Sequence, residues 1–278
     1  MKIKPFVKWA GGKRQILDKL KMYAPIEFNT YYEPFIGGGA LLFELEPKKA
    51  IVNDSNKELM NVYDVLCDDS KFEKMCKTLN DYEAKHSEQF YYEIRNIDRE
   101  KIEFSNLEDY VRAARTIYLN KACFNGLYRV NSKGYFNVPS GKKKVVNCFD
   151  KKSFDNLNLF FKNRKPVITS IDFEEAVKNA KAGDFVYFDP PYDTWEEKNS
   201  FTSYDKNAFG KEEQVRLAKV FKELSNKGVY VMLSNHNTKF INELYKGFHI
   251  TIVPAKRMIN SKADGRGEVE EVIITNYE

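Results

Sequence analysis

Residues 31–45 read YYEPFIGGGALLFEL, and this stretch decides the fold that we predict for the chain. It is typical of a strand that enters a turn of three glycines and leaves it as a short helix. Glycines let the backbone approach a ligand closely, and a helix N-terminus favours negative charge. The next strand, in KAIVND, ends at Asp54, seventeen residues beyond Gly37. In nucleotide-binding α/β folds an acidic residue about 20 positions after the turn holds ribose hydroxyls, so the pattern indicates an adenosine site.

Two other interpretations of this stretch stay open. PFIGGG does not follow the G-x-G-x-x-G pattern of dinucleotide-binding folds, so a nicotinamide dinucleotide is less favoured. A tight structural turn without a ligand is the second alternative.

Strands and helices alternate on both sides of a central region with a different character. Before it, GKRQILDKLKMYA predicts a helix, and a further helix, capped near Asp54 or Ser55, continues to Leu66. After it, strands are predicted in PVITS, DFVYFD, VYVMLSN, FHITIV and EVEEVIITNY, and helices in DFEEAV, KEEQVRLAKVFKELSNKG and TKFINELYK. The alternation predicts a mostly parallel sheet covered by helices, with the last two strands paired as an antiparallel hairpin. Between about residues 61 and 165, DYVRAARTIYLNKA predicts a helix and LYRVNSKGYFNV a hairpin, which indicates an inserted module.

Residues 186–192, VYFDPPY, carry a second chemical pattern. An apolar strand runs into Asp189, after which Pro190 and Pro191 remove two backbone donors and fix two φ angles. A carboxylate and a rigid carbonyl can each accept one hydrogen of an exocyclic amine on a nucleobase, and Tyr192 can stack on that base. The alternative is a strand that simply ends in a proline turn.

The N-terminal stretch PFVKWAGGKRQIL is a weaker signal. Lys13 stands at a helix start after two glycines and is a candidate for binding a carboxylate, whereas Trp9 could pack on an apolar ligand. A buried tryptophan without a ligand is the alternative.

Charge is distributed unevenly along the chain. Residues 61–110 carry seven Lys and Arg against thirteen Asp and Glu, whereas residues 111–152 carry ten against one. The second segment has a net charge of +9, which exceeds the +5 of the whole chain. It predicts an anionic partner that binds this segment, with a solvated basic face as the alternative.

The composition excludes several classes of protein. Mean hydropathy is −0.57, and no apolar run approaches the ~20 residues of a membrane span. MKIKPFVKWAGGK lacks the apolar segment of a signal peptide, so a soluble, cytoplasmic chain is expected. The four cysteines form no C-x-x-C pair and the three histidines are scattered, so we expect neither a metal site nor disulfides.

Several motifs, in the order in which they occur, resemble those of the DNA adenine-N6 methyltransferases of the Dam type: KWAGGK, EPFIGGGALLF, VND and VYFDPPY. The middle segment KACFNGLYRVNSKGYFNVPSGKKK and the tail with LSNHNT and EVEEVIITNY are similar to the same family. The resemblance covers nearly the whole chain. It extends in particular to the GATC-modifying methylases of DpnII-like restriction-modification systems.

The resemblance implies a Rossmann-like catalytic domain, formed by residues 1–60 and 160–278, that binds S-adenosyl-L-methionine. Residues 61–159 would form an inserted, mainly helical target-recognition domain that carries a β-hairpin. The implied reaction is transfer of a methyl group to N6 of an adenine flipped out of duplex DNA, within GATC. Double-stranded DNA is the expected partner, without a metal ion or a membrane. We also expect a monomer, with a cognate restriction endonuclease as a further candidate partner.

The resemblance also implies catalytic and cofactor-binding residues. The catalytic residues would be Asp189, Pro190, Pro191 and Tyr192. Asp189 and the Pro190 carbonyl would hold the amino group, and Tyr192 would stack on the adenine. The S-adenosylmethionine site would comprise Trp9, Lys13, Phe35, Gly37, Asp54, Asp172, Phe173 and Asp189, with Asp54 on the ribose hydroxyls.

The DNA-binding residues implied in the same way are Lys8, Phe124, Asn125, Leu127, Arg129, Asn131, Pro139 and Lys142. Arg129 would read a guanine edge, because the arginine fork matches it. Leu127 would touch a thymine methyl, and Phe124, supported by Asn125, would enter the base stack. Asn131 and Lys142 would contact phosphates, and Lys8 would help to read the outer guanine.

One departure from the family pattern concerns the outer base pair. Relatives have an Arg-Tyr pair where this chain has Lys142 and Lys143. Lysine keeps the charge but loses the flat fork and the aromatic ring, so the reading of this base pair is in question.

Three other functions stay open. RNA and protein-amide methyltransferases carry related tetrapeptides, usually with Asn in place of Asp189. A non-catalytic DNA-binding module could keep the same scaffold. A nucleotide-dependent oxidoreductase is disfavoured by the glycine pattern.

Overall fold

Strands and helices alternate along the chain largely as predicted, and the mixed α/β fold class is confirmed. The computed structural model describes residues 3–9, 11–194, 209–256 and 268–278. Within these residues there are seven strands, six of which form the sheet of the second unit. The chain divides into a first unit of residues 1–12, 37–44 and 54–170 and a second unit of residues 13–36, 45–53 and 171–278. This division does not test the functional domain boundaries, which stay a prediction.

Every strand that the sequence predicts outside the central region is present. The strands are β1 (Tyr31–Glu33), β2 (Ala50–Asn53), β3 (Val167–Thr169), β4 (Phe185–Phe188), β5 (Tyr230–His236), β6 (His249–Lys256) and β7 (Glu268–Thr275). The six strands of the second unit follow the order β2-β1-β4-β5-β7-β6. β1 pairs in parallel with β2 and β4, and β4 pairs in parallel with β5. β7 runs antiparallel to β5 and β6, so the predicted hairpin of the last two strands is confirmed.

Helices account for most of the remaining described residues. They are α1 (Leu17–Tyr23), α2 (Ala40–Leu45), α3 (Lys57–Cys67), α4 (Asp69–Ala84), α5 (Glu88–Asn96), α6 (Lys101–Ser105), α7 (Asp109–Ala122), α8 (Lys151–Arg164), α9 (Phe173–Val177), α10 (Lys211–Asn226) and α11 (Lys239–Leu244). Short 3-10 helices occupy Lys13–Gln15, Ile97–Arg99 and Phe124–Gly126. No helix in the described ranges is both long enough and apolar enough to cross a membrane.

β4 lies in the core of the second unit, and all four of its residues are buried. Val186 and Phe188 share an apolar cluster with Leu217 and Phe221 of α10. The end of α10 is closed as predicted, because Gly228 adopts a φ of 77° and its N–H donates to the Ser225 carbonyl at 3.0 Å. α10 contacts β5, the strand next to β4, and its Gln214 donates to the Pro191 carbonyl of the DPPY turn at 2.9 Å.

α7 is the most deeply buried helix of the first unit, and it contacts α3, α4 and α5. Its bounds are those of the predicted helix DYVRAARTIYLNKA. The hairpin predicted in LYRVNSKGYFNV is present as a turn with one isolated antiparallel bridge, between Val130 and Phe136. Asn131 closes the turn, because its N–H donates to the Tyr135 carbonyl at 2.9 Å and its carbonyl accepts from the Gly134 N–H at 2.8 Å.

The N-cap of α3 is Asn56, one residue beyond Asp54 and Ser55, near which the cap was predicted. α3 begins at Lys57, and Asn56 Oδ1 accepts from the Leu59 N–H at 3.0 Å. Asp54 does not cap the helix, because its two carboxylate oxygens accept from the N–H groups of Gly37 and Asn56, at 3.1 and 2.9 Å.

Candidate functional site

Asp189 follows the buried strand β4 and is held by two side chains of the second unit. Lys13 Nζ lies 2.7 Å from Asp189 Oδ1, and only 7% of the Lys13 side chain and 19% of the Asp189 side chain are exposed. Ser234 in β5 donates to the same Oδ1 at 3.2 Å, while the Tyr187 hydroxyl lies 2.8 Å from Ser234 Oγ. Both contacts use Oδ1, and no described residue donates to Oδ2. The second carboxylate oxygen is therefore able to accept a hydrogen bond from a ligand.

The charge of Asp189 depends on two opposing effects. Burial raises the pKa of its carboxyl above the ordinary value, because the charged form loses hydration. The Lys13 ammonium and the Ser234 hydroxyl act in the opposite direction and lower this pKa. Lys13 thus favours the ionised carboxylate at a buried position.

The Tyr192 ring lies beside the same ion pair. Lys13 Nζ is 4.5 Å from the ring centroid, and the Tyr192 hydroxyl donates to Glu271 Oε2 at 3.1 Å. The His236 ring meets the tyrosine ring edge-on, with the centroids 4.9 Å apart. These three contacts fix the plane of the ring at the end of the DPPY turn.

The two proline carbonyls of the turn have different surroundings. Pro191 accepts from Gln214 Nε2 at 2.9 Å, and the fully buried Gln214 in turn accepts from Asn235 Nδ2 at 3.1 Å. No described residue donates to the Pro190 carbonyl. The Pro191 carbonyl therefore serves the fold, whereas that of Pro190 can accept a hydrogen bond from a ligand.

Sequence reasoning missed the residues that hold the end of this turn. Asn235 Oδ1 accepts from the Asp193 N–H at 2.9 Å, and His236 Nδ1 lies 2.6 Å from the Asp193 carbonyl oxygen. Thr238 Oγ1 donates to Asp193 Oδ2 at 2.6 Å. All three partners lie in LSNHNT, a segment that belongs to the resemblance but whose residue types indicate no chemistry by themselves.

The predicted cofactor residues Phe35 and Phe173 pack together in the second unit, with ring centroids 5.4 Å apart. The guanidinium carbon of Arg216 lies 4.2 Å from the Phe173 ring centroid. Arg216 also donates to both carboxylate oxygens of Asp172, at 2.9 and 2.7 Å, and this contact lowers the pKa of the Asp172 carboxyl. Asp172 is thus already paired with Arg216, a residue that no sequence pattern indicates.

Three further predicted cofactor residues lie in the first unit. Gly37 has a φ of +47°, and a Cβ at this position would lie 2.7 Å from Trp9 Cδ1, so only glycine fits against the indole. Asp54 is bonded to the Gly37 N–H, as described above, and burial raises the pKa of its carboxyl while the backbone N–H groups of Asn56 and Gly37 lower it. The Trp9 ring stacks at a tilt on Tyr128, with centroids 5.1 Å apart. The structure therefore brings Trp9, Gly37 and Asp54 together.

The segment of predicted DNA contacts is largely on the surface of the first unit. Phe124 is 52% exposed, although its main chain is fixed by a 3.0 Å hydrogen bond from its N–H to the Pro139 carbonyl. Asn125 and Pro139 are exposed, Leu127 is half-buried, and Asn125 adopts a left-handed φ of 56°. An exposed aromatic ring on a fixed backbone is suited to insertion between bases.

Lys8 is exposed and lies beside this segment. Its main-chain N–H and carbonyl both bind the Asn120 side chain, at 2.9 and 2.8 Å. A Cβ at Gly126 would lie 2.7 Å from Lys8 Cδ, so the lysine stem passes directly over this glycine. The structure thus brings Lys8 to the loop that contains Phe124 and Leu127.

The other residues predicted to contact DNA differ in how many of their polar side-chain atoms are already hydrogen-bonded within the protein. The exposed Arg129 donates through Nε to Asn137 Oδ1 at 2.7 Å. Asn131 Oδ1 accepts from the N–H groups of Lys133 and Tyr135, at 3.0 and 3.1 Å, so its oxygen belongs to the turn and only its amide nitrogen is left for a phosphate. Lys142 is exposed, with a left-handed φ of 51°.

Part of the positive charge counted from the sequence is neutralised inside the first unit. Arg112 is paired with Glu58 across α7 and α3. Arg115, which is 4% exposed, lies 2.9 Å from Asp98. The exposed positive charge of residues 111–152 is therefore concentrated from Arg129 onward, in a stretch that includes Lys142.

No group of three or more His, Cys, Asp or Glu side chains within the described ranges could hold a metal ion. All four cysteines are unpaired thiols.

A family model and several known proteins match the chain over nearly its full length. The family model described as D12 class N6 adenine-specific DNA methyltransferase matches residues 9–259. Type II methyltransferase M1.LlaDCHI of Lactococcus lactis subsp. cremoris is 45% identical over 99% of this chain and 96% of its own. Type II methyltransferase M.MjaIII of Methanocaldococcus jannaschii is 42% identical, with 100% of both chains covered. A DNA adenine methylase of Haemophilus influenzae is 32% identical over 98% of this chain and 93% of its own.

These similarities decide among the functions that the sequence left open. They set aside the RNA and protein-amide methyltransferases, the non-catalytic module and the oxidoreductase. The mixed sheet with its helices is consistent with the methyltransferase fold. Because the family model and several relatives cover almost the entire sequence, the chain belongs to the D12 class of N6 adenine-specific DNA methyltransferases.

Proposed function

We propose that this methyltransferase transfers a methyl group from S-adenosyl-L-methionine to N6 of an adenine that it flips out of duplex DNA, within GATC. The observation that carries the proposal is a pair of acceptors after β4, Asp189 Oδ2 and the Pro190 carbonyl, to which no described residue donates. Two acceptors correspond to the two hydrogens of the adenine amino group. A stacked and paired adenine hides this group, so extrusion at a cost of a few kcal/mol is part of the proposal.

The arrangement around Asp189 has a clear chemical use. The amino nitrogen of adenine is a poor nucleophile, because its lone pair is delocalised into the ring. Asp189 and Pro190 accept its two hydrogens and so direct the lone pair away from the ring. Lys13 and Ser234 hold Oδ1, which prevents the carboxylate from rotating. In this scheme Asp189, which accepts one N–H of the amino group, also takes or relays the proton that the nitrogen loses after transfer.

Alignment accounts for most of the rate enhancement in this scheme, because a fixed geometry converts an encounter into an intramolecular step. Tyr192 would stack on the adenine, and its plane is set by Lys13, His236 and Glu271. Its neighbour Pro191 keeps the turn rigid through the bond from Gln214.

The residues proposed for the cofactor fit its chemical parts. When bound, S-adenosylmethionine supplies a methyl group on a positively charged sulfur. Asp54 offers a buried carboxylate to ribose hydroxyls, and Phe35 with Phe173 offers an aromatic surface to a purine. Lys13, whose ammonium carries three donor hydrogens, is proposed to bind the carboxylate of the cofactor. Asp172 could contribute only through lone pairs that Arg216 does not use.

We assign DNA recognition to residues 61–159 and catalysis to residues 1–60 and 160–278. The exposure of Phe124, Arg129 and Lys142 supports this assignment, as does the positive charge of the segment. GATC specificity is supported by the likeness of FNGLYRVN to methylases with that target. The relatives named type II methyltransferases support a place in a restriction-modification system. We also propose a cognate endonuclease as a partner and the cytoplasm as the location. We expect the chain to act as a monomer.

Asp189→Ala tests the catalytic assignment. The variant should lose methyl transfer from tritiated S-adenosylmethionine while it keeps its affinity for duplex DNA in a gel-shift assay. Asp18→Ala, at an exposed position of α1, is the matched control and should retain both. Normal turnover by Asp189→Ala would overturn the mechanism.

The target sequence is tested by methylating a plasmid in vitro and digesting it with endonucleases that adenine methylation of GATC blocks. Protection at these sites is expected. Sequencing of modified bases would reveal any other target, and N6-methyladenine at unrelated sites alone would refute the GATC assignment.

A further inference from the structure

Asn137 contacts Arg129 twice, through its side chain and its main chain. Its Oδ1 accepts from Arg129 Nε at 2.7 Å, and its N–H donates to the Arg129 carbonyl at 3.0 Å. The side-chain bond uses Nε and leaves both terminal amino groups of the guanidinium for another partner. These terminal groups form the fork that matches O6 and N7 of guanine.

Phe136, the residue before Asn137, is fixed through both polar groups of its backbone. Its N–H donates to Asp98 Oδ2 at 2.8 Å, and its carbonyl accepts from Arg99 Nη2 at 2.9 Å. Asp98 is 7% exposed and is also paired with Arg99 and with Arg115. Arg115 is buried and donates to two carbonyls of α5, at 2.9 and 2.7 Å. We call Asp98, Arg99 and Arg115 the Asp98 cluster.

The Asp98 cluster fixes the backbone next to Asn137 and so supports the exposed bond between Asn137 and Arg129. Breaking a buried ion pair leaves an uncompensated charge, so such a cluster resists rearrangement. Val138 is held as well, because the buried Tyr91 hydroxyl donates to its carbonyl at 2.8 Å. The backbone on both sides of Asn137 is thus fixed from α5, α7 and the 3-10 helix between them.

An arginine side chain without such a partner samples many rotamers, and few of them place the guanidinium in the plane of a base edge. Fixing Nε selects the orientation before DNA binds. An incorrect base then meets a fork that cannot turn to find another acceptor. Discrimination rises with the rigidity of the arginine, not only with its charge.

We propose that Asn137 is a positioning residue for Arg129, and that it determines specificity at the guanine with the Asp98 cluster as its fixed support. This inference rests on the proposed function, in which Arg129 reads a guanine edge. Asn137 itself needs no contact with that base.

The test compares kcat/KM for a duplex with the target sequence against duplexes with one base pair changed. Asn137→Ala should lower discrimination at one guanine about tenfold, within the range of a single bidentate contact, and leave the other positions unchanged. Arg129→Ala should lower discrimination at the same guanine by at least as much. The double variant should lose no more discrimination at this guanine than Arg129→Ala does, because the two residues act through one guanidinium.

Two control variants separate positioning from general damage. Asn163→Ala, at an exposed position of α8, should behave as the unchanged enzyme. Asn137→Asp keeps an acceptor for Nε and should retain most of the discrimination, although its negative charge should weaken DNA binding equally for every sequence. Asp98→Asn, assayed below its melting temperature, should reduce discrimination at the same guanine.

The outcomes distinguish failure of this inference from failure of the proposed function. Unchanged discrimination in Arg129→Ala would refute the role of Arg129 in reading DNA. A loss in Arg129→Ala without a loss in Asn137→Ala would overturn the positioning role. A double variant that loses more discrimination at this guanine than Arg129→Ala would also overturn the positioning role of Asn137.

Discussion

Asp189 owes its properties to two neighbours rather than to its position in a motif. Burial alone would favour the neutral acid, which has a hydrogen on one oxygen and is a poorer acceptor for an amino group. Lys13 and Ser234 offset this effect at Oδ1, and Oδ2 keeps its acceptor capacity. The sequence shows the acid, the prolines and the tyrosine, but the pairing of Lys13 with a residue 176 positions away is a tertiary contact.

Lys13→Met should shift the acid limb of the pH profile of kcat/KM to higher pH. Activity requires the ionised carboxylate, so it falls as the pH falls through the pKa of Asp189. That pKa already lies above its ordinary value through burial, and Lys13 lowers it. Without the ammonium, the pKa of Asp189 rises further, and the carboxyl becomes protonated at a higher pH. Profiles should be recorded at saturating S-adenosylmethionine.

Lys19→Met, at an exposed position of α1, is the control for the loss of a lysine charge. Its pH profile should match that of the unchanged enzyme. An acid limb that stays in place or moves to lower pH in Lys13→Met would contradict the electrostatic role of Lys13.

Gly37→Ala should destabilise the protein more than Gly247→Ala. Both glycines have positive φ, of +47° and +100°, so both substitutions carry a backbone cost of about 1 kcal/mol. Only at Gly37 would the new Cβ also meet the Trp9 ring, at 2.7 Å, whereas nothing lies within 4 Å of it at Gly247. We expect an additional loss of about 1–3 kcal/mol in the free energy of unfolding at Gly37.

Urea denaturation of the two variants measures this difference, and binding of S-adenosylhomocysteine measures its effect on the cofactor residues. Equal losses of stability at Gly37 and Gly247 would show that the indole moves aside at little cost.

The strands and long helices could be predicted because local patterns determine them. β4 is an apolar run, α10 has an apolar stripe closed by Gly228, and α7 has the predicted bounds. The start of α3 could not be predicted in this way. Asp54, Ser55 and Asn56 are all good N-cap residues, and the choice depends on the bond between Asp54 and Gly37, seventeen residues away. Long-range contacts likewise decide the roles of Gln214 and Arg216.

The N-cap residue of α11, Thr238, also holds the residue that follows the DPPY turn. Thr238 Oγ1 accepts from the Ile241 N–H at 3.2 Å and donates to the buried Asp193 at 2.6 Å. Thr238→Val removes the N-cap and also leaves a buried carboxylate without this donor. We expect the free energy of unfolding to fall by about 2–4 kcal/mol, compared with about 1 kcal/mol for an ordinary cap.

Ser87→Ala provides the comparison, because Ser87 caps α5 through a 3.0 Å bond from the Phe90 N–H and is exposed. Thermal and urea unfolding of both variants give the two losses. If Thr238→Val costs no more than Ser87→Ala, the bond to Asp193 contributes nothing to stability. Methyl transfer by Thr238→Val should also decline, because Asp193 follows Tyr192 directly.

Charge counting along the chain gives the total charge of the basic segment, but it overestimates the part of that charge that is left unpaired by the fold. Ten Lys and Arg lie in residues 111–152. The fold uses at least three of them in ion pairs: Arg112 with Glu58, Arg115 with Asp98, and Lys151 with Asp155. Two of these partners lie 54 and 17 residues before their arginines, so the pairs depend on how α3, the 3-10 helix and α7 pack. Sequence alone gives the sum of the charges, and the tertiary structure gives their distribution.

This distribution predicts which lysines determine the salt dependence of DNA binding. Lys142 is exposed and is proposed to contact a phosphate. A lysine that neutralises a phosphate releases condensed counterions when DNA binds, so binding weakens as the salt concentration rises. Lys142→Ala should reduce the slope of log K against log salt concentration by about 1 and weaken binding nearly equally for all sequences. Lys151→Ala removes the same charge from the same basic segment, but its ammonium lies 2.7 Å from Asp155 on the exposed face of α8, so the slope should stay unchanged. Titrations of a labelled duplex at several salt concentrations measure both slopes. Equal changes in the two variants would mean that the total charge of the segment, and not the position of Lys142, governs binding.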